Sequence, residues 1–579
     1  MAKNVSAQLV EMLVAAGIKR IYAVTGDSLN YLNDAVQHHP GIEWIHVRHE
    51  EAGAYAAAAE AELNGIACCA GSSGPGHVHL INGLYDAHRA GASVLAIAST
   101  CSSDEFGTNY FQETNTIKLF DDCSCYNQLA TTPAQLPRMA QAALQHAWHK
   151  KGVAVLGLPG NLSHQDAEES SAAMHNYFSK AIVRPADEEL QQLAALINRC
   201  GKVTLFCGEG AAHAHDEVVA LSAKLKAPVG YSFRGKMHIQ YDNPNEVGMT
   251  GLLGLPSAYH SMHEADLVLL LGTDFPYTPF IPKEKKLVQI DIRPERLGRR
   301  AKLTMGLHGD VVATIAALLP LLQEKTDDSF LKAQLDIYAQ VKEHLHTYVT
   351  DPGKAGNIHP EYAAWCIDKA AADDAIFTVD TGMCCVWGSR YIQATGKRKM
   401  LGSWNHGSMA NAMPQAIGAA LACPGRQVIA LCGDGGLSML LGDLATLKQY
   451  NLPVKVIVFN NRSLGMVKLE MEVGGLPDTE TEMINPDFAL VAQAMGFTGI
   501  TIHEPEELEA GLQQALHTPG PVLVNVMTDP NALAMPPKVD VKMMTGMAAS
   551  MWRLMLGGRM DEVLDTVKAN YKHLTEVFD

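Results

Sequence analysis

A carboxylate sits inside a glycine run at Gly433-Asp434-Gly435-Gly436, directly after the apolar stretch QVIALC, and two asparagines, Asn460 and Asn461, close a second apolar stretch, PVKVIVF. Apolar runs that stop on polar residues in this way read as strand ends, and glycines there let a backbone approach an anion closely. An acidic side chain within such a loop would repel phosphate unless a cation lay between them. The 27 residues from Asp434 to Asn461 amount to one helix and one strand, so both side chains should arrive at neighbouring strand ends. Asp434, the Asn461 amide oxygen and the main-chain carbonyl of Ser463 would then offer hard oxygen donors to Mg2+, with diphosphate oxygens and water completing its shell. Either segment alone reads more simply as a turn or a helix cap. Their pairing, one helix–strand unit apart, favours the ion site, with Asn461 as ligand and Asn460 ordering the turn.

Such residues work only if parallel strands deliver them to one edge. From Met1 to 181, apolar runs (RIYAVTG, SVLAIAS, VAVLGLPG) alternate with helical stretches such as EEAGAYAAAAEAEL, the pattern of a parallel sheet covered on both faces. After the polar stretch NLSHQDAEESSAAMHNYFSK, a second α/β unit covers 182–334, with strands in KVTLFCG, LVLLLG and LVQIDI. A third covers 335–529, beyond the hydrophilic VTDPGKAGNIHP, with strands AIFTVD, QVIALCG, VKVIVFN and PVLVNV. The expected fold is therefore α/β, three doubly wound parallel-sheet domains. Units one and three repeat a helix, short loop and strand, GLYDAHRAGASVLAIAS and DLATLKQYNLPVKVIVFN, which hints at two similar folds. The remainder, 530–579, reads as a helical tail with Val563, Leu564, Val567, Tyr571, Leu574 and Phe578 on one apolar face.

Bulk properties remove other classes. A net charge of -17 in 579 residues, with no basic patch, argues against nucleic acid. Twelve scattered cysteines form neither a disulfide scaffold nor a CxxC zinc motif. No apolar run reaches the length of a membrane span, and Glu11 interrupts the apolar N-terminal stretch, which reads as a helix of a cytoplasmic protein and not as a signal peptide.

In this order, the motifs VTGDSLN, RHEEAGAYAA, GSSGPG, HLINGLYDAHR, YFQET, GMTGLLG, GTDFPY, QIDIRP, GSWNHGSMANAMPQAIGAA and CGDGG followed by NN span the chain. The set resembles the thiamine-diphosphate-dependent decarboxylases and oxidases of 2-oxo acids, above all the flavin-containing pyruvate oxidases that reduce a quinone. The resemblance implies a pyrimidine-binding first unit, a central FAD unit and a diphosphate-binding third unit. Glu50 would hydrogen-bond the aminopyrimidine and favour its imino tautomer, which takes the thiazolium C2 proton. Glu51 would keep the ordinary role of an acid at a helix start. Trp404, Asn405, His406, Gly407, Ser408 and Met409 match a pyrimidine-contacting segment, with the Gly407 carbonyl and Met409 N–H as partners and the Met409 side chain bending the cofactor. Asp434, Gly435, Gly436, Asn461, Arg462, Ser463, Leu464, Gly465, Met466 and Val467 match the diphosphate site.

For FAD the matching residues are Thr250, Gly251, Leu252 and Leu253, then Thr273, Asp274, Phe275, Pro276 and Tyr277, then Asp291. His79, Phe111 and Gln112 match positions around bound pyruvate. Met466 stands where relatives commonly carry phenylalanine, while Glu470, one helical turn on, matches. Thr381-Gly382-Met383 replaces the more usual Val-Gly-Thr. Because Glu50 and the diphosphate residues lie in different units, the resemblance implies a cofactor between subunits of a dimer or tetramer. It further implies that the tail touches the membrane where a quinone dissolves, although the tail's acids, Glu562, Asp565 and Glu576, weaken attraction to anionic lipid. The expected reaction is oxidation of pyruvate to acetate and CO2 through FAD to a quinone. The alternatives are an oxygen- and phosphate-using oxidase, an acetolactate-type carboligase, or a non-catalytic oligomeric binding protein.

Overall fold

The computed structural model describes residues 3–168 and 175–532, with isolated positions 534, 547, 549–551, 553 and 566 beyond them. The apolar helix of the expected tail lies outside the described residues. Its first sheet comprises β1 (Arg20–Ala23), β2 (Glu43–His46), β3 (Ala67–Gly71), β4 (Val94–Thr100), β5 (Tyr126–Leu129) and β6 (Val153–Pro159). They pair in parallel in the order β2-β1-β3-β4-β6-β5. The two long central strands, β4 and β6, are buried along their whole length, as helices on both faces require.

The second sheet holds β7 (Val203–Cys207), β8 (Val229–Tyr231), β9 (Glu246–Met249), β10 (Leu267–Leu271), β11 (Lys286–Asp291) and β12 (Met305–His308), in the order β12-β11-β10-β7-β8-β9. Counted within its own unit from the far edge, this is 3-2-1-4-5-6, the order of dinucleotide-binding domains, with its switch point between β7 and β10. A short antiparallel hairpin, β13 (Gly353–Lys354) and β14 (Asn357–Ile358), precedes the third sheet. That sheet contains β15 (Ile376–Val379), β16 (Lys399–Gly402), β17 (Val428–Gly433), β18 (Val454–Asn460), β19 (Thr498–Ile502) and β20 (Val522–Met527), ordered β16-β15-β17-β18-β20-β19. Counted within each unit, sheets one and three share the order 2-1-3-4-6-5. The repeat suspected in the sequence is thus a repeat of topology.

Units one and three share a hydrophobic core. The helix Glu50–Asn64 is alanine-rich because it is buried between the helices Ile81–Ala90 and Ala412–Ala422. A Cβ on Gly418 would overlap the Ala56 carbonyl, and one on Gly83 would crowd the Ala54 methyl at 2.6 Å. Small residues therefore set the spacing of this seam. The expected boundary at 334/335 falls inside the 21-residue helix Ser329–Val349. Its Tyr338 packs with Val247 and Leu255 of unit two, while Leu345 also reaches the core of unit three. Among the described residues, no helix is long and apolar enough to cross a membrane.

Candidate active site

Strands β17 and β18 run in parallel with Gly433 opposite Phe459, so the residues that follow leave the sheet at one level. Asp434 is buried. Its Oδ1 accepts the Gly435 N–H at 3.0 Å, and Oδ2 accepts the Arg462 N–H at 2.7 Å and the Asn485 amide at 2.8 Å. Burial raises its pKa, and those hydrogen bonds only partly oppose it. Arg462 turns the chain at φ +55°, its guanidinium donating to the Gly356 carbonyl at 3.1 Å, the Asn357 amide oxygen at 2.9 Å and the Thr528 carbonyl at 3.3 Å. Asn461 Oδ1 accepts the Ser463 N–H at 3.1 Å. Asn460 instead faces the sheet: its amide donates to Asn525 Oδ1 at 3.0 Å, and its own Oδ1 accepts from Asn485 at 3.0 Å.

The donor chemistry here is all oxygen, which fits a hard divalent cation such as Mg2+. Among the described residues no three His, Cys, Asp or Glu side chains cluster as a metal site. A single buried carboxylate with an amide beside it needs further oxygens from a ligand, as a diphosphate would supply. The neighbouring glycines leave the backbone bare. A Cβ on Gly435 would meet Leu464 at 2.9 Å and Met409 at 3.2 Å.

A cavity opens over this turn. Of the residues expected at the thiamine site, Met409, Asp434, Gly435, Gly436, Asn461, Ser463, Leu464, Gly465, Met466 and Val467 line it. Arg462 lies in the turn behind. Trp404, Asn405, His406, Gly407 and Ser408 do not line it. Trp404 packs edge-on against Phe233 at 4.1 Å, and the Asn405 amide donates to the Arg89 carbonyl at 3.0 Å. His406 stacks on Tyr85 and bonds the Asn82 amide oxygen at 3.0 Å, and Gly407 takes φ +74°. Ser408 Oγ accepts from Tyr55 at 2.6 Å and from the Asn82 amide at 3.0 Å. This segment is thus anchored on the helix Ile81–Ala90 and hangs Met409 over the cavity.

Glu50 begins its helix in a separate cluster at the edge of sheet one. Its Oε2 lies 3.0 Å from His79 Nδ1, and the His79 ring stacks on His49 at 4.5 Å. Gln112, at φ +61°, accepts from Ser73 Oγ at 3.0 Å, and Phe111 is 76% exposed. None of Glu50, His79, Phe111 and Gln112 lines the cavity of unit three. Glu470 does not line it either and is exposed: one helical turn advances it about 6 Å along the axis, past the cavity.

The expected flavin residues gather where strands of the second sheet end. Thr250–Leu253 follow β9, Thr273–Tyr277 follow β10, and Asp291 closes β11. Thr250 is buried with no partner for Oγ1, an open hydrogen-bonding atom inside the loop. Gly251, at φ +118°, lies against the Phe275 ring. Leu252 is exposed, and Leu253 packs between units two and three. Burial works against the charge of Asp274, but hydrogen bonds from Arg299 and Arg300 outweigh it and hold its carboxyl below the ordinary value. Burial pushes Asp291 up. Pro276 lies between Phe275 and Tyr277, whose rings meet edge to face at 5.6 Å.

Several residues of this region escape a reading of the sequence. Asp380, one residue past β15, accepts the Asn411 N–H at 3.1 Å on Oδ1, while Oδ2 is buried without a partner. Burial pushes its carboxyl up to about 7. It is an acid at a strand end in TVDTG, the same signal that exposed Asp434. Asn485, which bridges Asp434 and Asn460, carries no such signal.

Three family models match in chain order: the N-terminal TPP binding domain of thiamine pyrophosphate enzymes over residues 3–119, their central domain over 190–318, and their C-terminal TPP binding domain over 380–526. The Bacillus subtilis protein YdaP, described only provisionally as thiamine pyrophosphate-containing, is 35% identical over 91% of this chain and 92% of its own length. A pyruvate oxidase of Lactiplantibacillus plantarum is 31% identical over 88% of this chain and 85% of its own. Acetolactate synthase 1 of Oryza sativa subsp. japonica is 28% identical over 90% and 84%. With matched models over all three units and full-length relatives above 30% identity, this chain belongs to the thiamine pyrophosphate enzyme family.

Proposed function

We propose that this chain oxidises pyruvate to acetate and CO2, using thiamine diphosphate, Mg2+ and FAD, and passes the electrons to a quinone. The observation that carries the flavin part is the 3-2-1-4-5-6 order of the middle sheet, with Thr250–Leu253, Thr273–Tyr277 and Asp291 at its strand ends. Likeness to a pyruvate oxidase supports the substrate.

Thiamine diphosphate, when bound, would supply a nucleophilic carbon for the 2-oxo group and a sink for the one electron pair left as CO2 departs; FAD would take that pair on its way to the quinone, and water would supply the second carboxylate oxygen of acetate. Asp434, Asn461 and the Ser463 carbonyl would hold Mg2+ against the diphosphate. Met409, which lines the cavity beside Gly435, would be the wedge that supports the cofactor. Glu50 offers a buried carboxylate to a ring nitrogen, and His79, bonded to it at 3.0 Å, fixes its orientation. Because Glu50, His79 and Gln112 do not line their own chain's cavity, a second copy brings them there, and the working unit is a homo-oligomer, as in a tetramer built from two such pairs. The tail beyond 530 meets the membrane surface where quinone dissolves.

Product analysis tests this reading. Pyruvate with a soluble quinone should yield acetate and CO2 in equal amounts. Acetyl phosphate with hydrogen peroxide under oxygen and phosphate would assign an oxidase instead, and acetolactate without any acceptor would assign a carboligase, the reaction named for the rice relative.

A further inference from the structure

The helix Met383–Tyr391 begins at the cavity over the Gly433–Gly436 turn and ends against the Thr250–Gly254 turn of unit two. Met383, Cys384 and Trp387 line the diphosphate cavity. At the opposite end, the buried Arg390 reaches out of unit three. Its Nε donates to the Leu253 carbonyl and its Nη2 to the Gly254 carbonyl, each at 3.2 Å. These carbonyls belong to the Thr250–Gly254 turn, where Gly251 lies on Phe275. A guanidinium suits the task because its fixed fork serves two neighbouring acceptors at once.

Unit two returns the contact. Lys236 is buried, and its Nζ donates to the Ser389 and Ile392 carbonyls at 2.5 Å each. The last carbonyls of a helix lack intrahelical donors and carry its negative end, so a cation there is doubly favourable. Gln240 adds a third tie, accepting the Ala394 N–H at 3.0 Å. Each unit thus sends one buried cation into main-chain carbonyls of the other, both at the C-terminal end of a helix about 14 Å long.

We propose that this helix is a rigid strut that fixes the flavin turn relative to the thiamine cavity, with Arg390 and Lys236 as positioning residues; the proposal rests on the flavin reading above. Filling the cavity against Met383 and Trp387 then stiffens the helix that holds the Thr250–Gly254 turn. Each cofactor therefore strengthens binding of the other by the same factor, since coupling between two sites is reciprocal.

The test uses full-length protein stripped of cofactors. FAD is titrated by its fluorescence, with and without thiamine diphosphate and Mg2+, and thiamine diphosphate is titrated calorimetrically with and without FAD. Wild-type protein should bind each cofactor about fivefold or more tightly when the other is present. Arg390→Ala and Lys236→Met should bind FAD more weakly and lose the coupling. Arg390→Lys, which keeps the charge but not the fork, should recover affinity without full coupling, and it carries the test if Arg390→Ala does not fold. FAD binding in wild type that ignores thiamine diphosphate, or undiminished coupling in the folded variants, overturns the strut alone. Wild-type protein that binds no FAD overturns the flavin reading and the strut with it.

Discussion

Gly436 lies so close to Asp380 that a Cβ on it would overlap the carboxylate at Oδ2. The end of β15, the segment of Met409 to Asn411 and the Gly433–Gly436 turn all meet at this point. The Gly433–Gly436 turn under the cavity is therefore shaped from beneath by an acid.

Gly436→Ala should push the turn off Asp380 at a cost of about 1–3 kcal/mol, the usual range for overpacking. Thermal unfolding should detect that loss, and calorimetry should find weaker binding of thiamine diphosphate. Unchanged stability and affinity would mean that the turn relaxes freely.

Asn485→Ala should weaken Mg2+ binding about 10- to 100-fold, the usual effect of removing a partner that orients a metal-binding carboxylate. The Asn485 amide donates to both Asp434 and Asn460, so its loss removes the side-chain donor on Asp434 and leaves the carboxylate held by the Gly435 and Arg462 N–H groups alone. Titration of Mg2+ at saturating thiamine diphosphate measures this, and a wild-type affinity would remove Asn485 from the account.

The pH dependence of stability has a local source at the seam of units one and three. Burial raises the Asp86 carboxyl from 3.8 to about 7, with the Ser403 hydroxyl donating to it at 2.7 Å. A raised acid binds more protons folded than unfolded. Its stabilising contribution is full below about pH 4 and is lost as pH rises through about 7. Asp86→Asn keeps an acceptor for Ser403 and should flatten the fall in melting temperature across that window. Parallel curves for variant and wild type would place the pH dependence elsewhere.

Met466 lines the cavity and packs against the core of unit three. Met466→Phe should retain turnover but change the rate of flavin reduction by pyruvate several-fold in stopped-flow measurements. An unchanged rate would reduce the position to ordinary packing.

Much of this was legible in the sequence because strand burial is local. Whole-length apolar runs identified ten of the eighteen strands in the three sheets, β1, β4 and β6, then β7, β10 and β11, then β15, β17, β18 and β20, and the 27-residue spacing placed Asp434 and Asn461 at adjacent strand ends, as the β17–β18 register has them. The repeat between units one and three was visible only as a pattern of helix and strand, because strand order depends on crossovers that spacing does not encode. Asn485, Arg390 and Lys236 were missed for a related reason: each acts across a separation set by tertiary packing, on main-chain carbonyls or on another side chain. Glu470 shows the converse. Its helical spacing from Met466 is regular, yet the cavity ends before the next turn begins.

The most direct measurement is anaerobic mixing of the purified protein, carrying thiamine diphosphate and Mg2+, with pyruvate while the flavin absorption is followed. The protein should be yellow, bleach and release CO2 and acetate, and regain its colour when a quinone is added. A colourless protein, or a yellow one that pyruvate leaves oxidised, would contradict the proposed function.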